Sequence, residues 1–63
     1  MIAENRKRIE HYGEEVDRLS IGREYDKLKL LLDEMEQEKN ADEEIKGDAA
    51  FNYYLGTAYG KLI

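Results

Sequence analysis

Apolar residues recur along this chain at steps of three and four, the spacing that places them on one side of an α-helix. The first run is Ile2, Ile9, Tyr12, Val16 and Leu19, with Asn5 as the polar member of the same stripe. Ser20-Ile21-Gly22 interrupts it. Glycine after a periodic run is the usual helix stop, because it takes the left-handed conformation at no steric cost. A second run follows in Tyr25, Leu28, Leu31, Leu32 and Met35, with Leu30 alone on the far side of that helix. Two helices joined by so short a link predict an antiparallel hairpin whose stripes mesh.

The third run is Phe51, Leu55, Ala58 and Leu62, flanked by Tyr54 and Tyr59. Asn40 with Glu43 three positions on forms a capping pair, which predicts a helix from Ala41. Gly47 leaves open a later start near Asp48. The pattern as a whole predicts an all-α fold of one domain, 1–63, with helices over about 2–20, 23–38 and 41–62. Such a fold is an antiparallel hairpin plus a third helix. Proline is absent and β-branched residues are scarce, so propensity agrees with helix.

A second apolar side, made of Ile45, Ala49, Gly56, Gly60 and Ile63, clusters elsewhere on the wheel of the same third helix. Tyr53 points the same way, outward. One helix of a three-helix monomer needs a single apolar stripe. The extra side therefore predicts self-association, most simply as a two-fold homodimer.

Size strengthens that expectation. A chain of 63 residues buries roughly 60% of its unfolded surface and is marginal alone, so disulfides, a metal or a second chain normally supplement its core. There is no cysteine and one histidine. Association is what remains, and no cofactor or metal is expected.

Charged residues make up 40% of the chain and the formal net charge is -5. Acidic runs interleaved with Lys and Arg belong to solvated helix faces. The only local basic cluster is Arg6-Lys7-Arg8, too little for a nucleic-acid partner, whose phosphates demand clustered cations. No stretch approaches the ~20 apolar residues of a membrane span, and no signal peptide opens the chain. The expected setting is cytoplasmic, with no membrane partner.

Leu55-Gly56-Thr57-Ala58-Tyr59-Gly60-Lys61-Leu62 resembles the first helix of a tetratricopeptide repeat, in which Leu-Gly is followed three residues on by Tyr with a small residue before it. Leu55, Gly56, Ala58 and Tyr59 carry the match. Gly22, Tyr25, Leu28 and Leu32 stand near the positions of the preceding repeat helix, so the resemblance covers the C-terminal two-thirds, about one and a half repeats. Asn52 departs from the family's large aromatic, Leu28 from its small residue, and the link after Met35 is longer. The resemblance implies a non-catalytic module that binds a protein or peptide in a helical groove, and a chain that is a fragment of a longer repeat array or is completed by another chain. Ala50, Tyr53, Thr57 and Lys61 would then line the groove.

Two rival functions are weighed against it. A small acidic helical regulator, inhibiting an enzyme or a transcription factor, suits a basic target. A helical ribonuclease subunit would use Arg6 and His11, which have an Arg-x4-His spacing, but Lys7 departs from that motif. His11 with Glu14 or Glu15 offers at most two metal ligands on one helix face. Glu43-Glu44, Asp33-Glu34 and Glu36 pair carboxylates without a desolvated cleft, and no nucleophile-base pair or phosphate loop is present. The expectation is that the chain is not an enzyme.

Overall fold

The three apolar runs become helices in the computed structural model, which describes residues 1–63. Helix α1 is Ala3–Ile21, α2 is Tyr25–Ala41, α3 is the single turn Glu43–Lys46, and α4 is Ala49–Leu62. There is no strand, and the fold is all-α as the periodicity predicts.

The α1 stripe buries Ile9, Tyr12, Val16 and Leu19, and the α2 stripe buries Leu28, Leu32 and Met35. Their mutual register is antiparallel. Arg8 reaches Glu38 at 2.9 Å, and the Tyr12 hydroxyl donates to Glu34 at 3.5 Å, each step along α1 matching a step back along α2. Phe51, Leu55 and Ala58 of α4 close the open side of this hairpin. The ring of Phe51 meets Tyr12 edge-on at 6.0 Å between centroids. Leu28, Met35, Ile45, Phe51 and Ala58 are wholly enclosed, and burial of each large member contributes roughly 1.5–3 kcal/mol.

The hairpin turn corrects the expectation at Gly22. Its φ is -77°, and the left-handed residue is Arg23 with φ 54°. The backbone explains the shift by one position. Arg23 N–H donates to Ser20 O at 3.2 Å and Glu24 N–H to Leu19 O at 2.9 Å, the paired bonds of a Schellman ending, which place the left-handed residue after the cap.

The segment 41–62 is not one helix. α2 runs on to Ala41, past the Asn40 expected to cap a new helix, and the chain breaks at extended Asp42 (φ -137°). The Asp42 carboxylate then caps α3, accepting from Glu44 N–H at 2.9 Å and Ile45 N–H at 3.4 Å. Asp48 caps α4 by accepting from Phe51 N–H at 2.8 Å. The later start is the one the structure adopts. Each restart resets the helical phase, so Ile45 turns inward and is fully buried. It is removed from the self-association set. Ile2 and Tyr25, at the entrances of their stripes, are exposed instead of buried.

Asn5 is the polar residue this arrangement encloses. Its amide donates to Asp42 Oδ2 at 3.2 Å and Glu44 Oε1 at 2.9 Å, while Glu44 Oε1 also accepts from the Ile2 backbone N–H at 3.2 Å. One side chain thus ties the start of α1 to the α2–α4 connection.

Candidate interaction surface

Helix α4 differs in composition from everything before it. Between Ala49 and Gly60 there are twelve residues without a charge, whereas elsewhere the chain never goes more than four. In a chain that is 40% charged, a helix half exposed to solvent should carry charge on its outer side. This one carries Ala49, Tyr53, Gly56 and Gly60 there, all exposed, and Ile63 beyond them.

The two sides of α4 are separate seams. Phe51, Leu55, Ala58 and Leu62 step by four, three and four and face the hairpin. Ala49, Tyr53, Gly56, Gly60 and Ile63 step by four, three, four and three on the opposite side. Tyr53 is 67% exposed. Nothing lies within 4 Å of where a Cβ would stand on Gly56 or Gly60, so this chain itself makes no use of their missing side chains.

Tyr53 is held from below. Its ring meets Tyr54 edge-on at 5.9 Å, and Tyr54 is half buried with its ring lying on Gly13 of α1. Position 13 admits that ring because it has no Cβ. The glycine had no signal in the hydrophobic pattern, since a lone glycine inside a helix does not reveal which neighbour lies over it.

Of the residues expected to bind a partner, Ala50, Tyr53 and Lys61 are exposed and Thr57 is half buried, its hydroxyl donating to Tyr53 O at 2.9 Å. Tyr53 lies in the outer seam, and Ala50, Thr57 and Lys61 lie along one flank of it. Ala50 also joins Arg6, Ile9, Glu10 and Tyr54 in a shallow cleft between α1 and α4. The structure brings together four of the five residues expected at a self-association surface, Ala49, Gly56, Gly60 and Ile63, and excludes Ile45.

The other chemistry is dispersed. Arg6 and His11 are both exposed on α1, and five residues along one helix puts them roughly 140° apart around its axis. Arg8 is engaged with Glu38. No three acidic or histidine side chains converge as a metal-ligand set. Ion pairs elsewhere are superficial: Arg18 holds the Glu15 carboxyl below its ordinary range through a hydrogen bond. Tyr59 donates to Glu36 at 2.9 Å, and that bond raises its phenol. No helix is long and apolar enough to cross a membrane. No protein family, characterised protein or solved structure matches the chain.

Proposed function

We propose that this chain is a non-catalytic helical interaction module whose working surface is the outer face of α4. The observation that carries the reading is the uncharged stretch Ala49–Gly60, half of which faces solvent. Interface centres are depleted of charge and enriched in aromatic residues relative to the rest of a protein surface. Tyr53 supplies the aromatic anchor and the adjacent glycines give it a close-approach neighbourhood. The tetratricopeptide-like Leu55–Leu62 points to the same use, a helical surface that takes another chain, with Ala50, Thr57 and Lys61 at its flank.

A photo-crosslinking amino acid placed at Tyr53 tests this in the cells that make the chain. Leu30 is the control position, because it is large, apolar and 69% exposed but sits on the charged face of α2. The expected result is a discrete protein adduct from position 53 and none from position 30. Equal labelling at the two positions, or no adduct at either, contradicts the proposal.

A further inference from the structure

We infer that the occupant of the α4 face is a second copy of this chain, docked antiparallel, with Tyr53 of each copy seated over the partner's Gly56 and Ala49 opposite the partner's Gly60. The inference rests on the reading of outer α4 as an interaction surface and names the chain that covers it.

The spacing of the outer seam is the first argument. Steps of four, three, four and three along Ala49, Tyr53, Gly56, Gly60 and Ile63 are those of a helix that interlocks with another helix through knobs and holes. The inner seam has its partners in the hairpin. The outer seam has none within the chain.

Size along the seam then selects the orientation. An antiparallel two-fold centred between Tyr54 and Leu55 sets position 53 against 56 and position 49 against 60. The two pairs within α4 then place tyrosine against glycine and alanine against glycine, while Ile63 lies past the end of the paired helices. A parallel pair would instead oppose Tyr53 to itself and Gly56 to itself, crowding one layer and leaving a void in the next. Close packing without voids favours the first arrangement.

Glycine supplies a further argument by contrast. Each glycine inside a helix costs about 1 kcal/mol relative to alanine. At Gly13 the cost has an internal reason, the Tyr54 ring, whereas at Gly56 and Gly60 the space is empty. A second copy's Tyr53 and Ala49 seated over Gly56 and Gly60 give those glycines the reason that the Tyr54 ring gives Gly13.

Charge identifies the second chain. Two copies of net charge -5 repel, so a homodimer must meet on a face that adds no like-charge contacts. Between Ala49 and Gly60 the positions flanking the seam are Ala50, Asn52, Thr57 and Tyr59, none of them charged, and Lys61 beyond them falls opposite the partner's Asp48, a charge of the other sign. A seam without charge offers nothing to pair with a strongly basic or acidic partner, and it is complementary in size to itself. Two-fold pairing of identical chains is also the commonest closed assembly, and antiparallel helices bring opposite dipole ends together.

The chain has no cysteine, so single introduced thiols report register. Ala49→Cys and Gly60→Cys are both at exposed positions, and Gly60 has open space for the new side chain. Under mild oxidation a mixture of the two variants should form a disulfide-linked dimer, and either variant alone should not. In the proposed register two identical thiols lie eleven residues apart along the helices, about 16 Å, far beyond the reach of a disulfide. Linkage of a single variant as readily as the mixture overturns the orientation. No linkage in any of the three overturns self-pairing. In that last case, an adduct at Tyr53 with the mass of a different protein leaves the interaction surface standing, and no adduct there removes both.

Discussion

The ring of Tyr54 occupies the place where a Cβ on Gly13 would be, with ring atom Cζ only 2.6 Å from that position. Glycine at 13 is what lets α4 approach α1 with Tyr54 between them. That contact supports Tyr53, so the outer surface of α4 is braced by a residue on the opposite helix.

Gly13→Ala should therefore destabilise the fold even though it raises helix propensity. Forcing a methyl group against the ring costs about 1–3 kcal/mol, against a propensity gain of about 1 kcal/mol. In a Tyr54→Ala background the same change should reverse sign and stabilise by about 1 kcal/mol. Urea unfolding of the four proteins in this cycle measures the coupling. Equal effects of Gly13→Ala in both backgrounds would show that the ring does not need the glycine.

Asn5 should behave as a donor between two carboxylates. Asn5→Ala removes hydrogen bonds to Asp42 and Glu44 and should cost about 1.5–3 kcal/mol, the range for bonds to charged groups. Asn5→Asp keeps the shape but adds a third carboxylate, so it should cost more than alanine, and added salt should narrow the difference. Thermal melts at low and high salt check this. An aspartate variant milder than the alanine variant would mean that Asn5 acts through packing alone.

How much of this was readable from the chain follows from what periodicity can and cannot carry. The α1 and α2 stripes were legible because Ile9, Val16, Leu28 and Leu32 repeat within unbroken helices. Ile45 was misplaced because its side of the helix depends on phase, and Asp42 and Asp48 each restart the helix. Asp48 stands three positions before Phe51, at capping distance from an apolar run, and Asp42 stands three before the single apolar Ile45, a signal present in the sequence that the Asn40–Glu43 pair obscured. That Ala49, Gly56 and Gly60 share one exposed side is legible because α4 itself is continuous. Gly13 was invisible, since its role comes from a residue forty-one positions away.

Tyr12 makes stability depend on alkaline pH. Its phenol is pushed up to about 12, first by burial and then by the negative charges of Glu34 and Glu38. The folded chain keeps a proton that the unfolded chain releases above about pH 10. The stabilisation is therefore complete below pH 10 or so and is lost as the pH rises toward about 12. Tyr12→Phe should flatten the fall in unfolding free energy across that window, as measured by urea titrations at closely spaced pH values. A slope unchanged by the substitution would assign the alkaline loss to other groups.

Sedimentation equilibrium of the unmodified chain beside Gly56→Leu tests the central claim most directly. Leucine at 56 has open space in the single chain and a better helix propensity, so the variant should be at least as helical by circular dichroism. The unmodified chain should sediment at twice its own mass at micromolar concentration, and the variant as a monomer, because the new side chain fills the site that receives the partner's Tyr53. An unmodified chain that stays monomeric, or a dimer that Gly56→Leu leaves intact, would contradict the account.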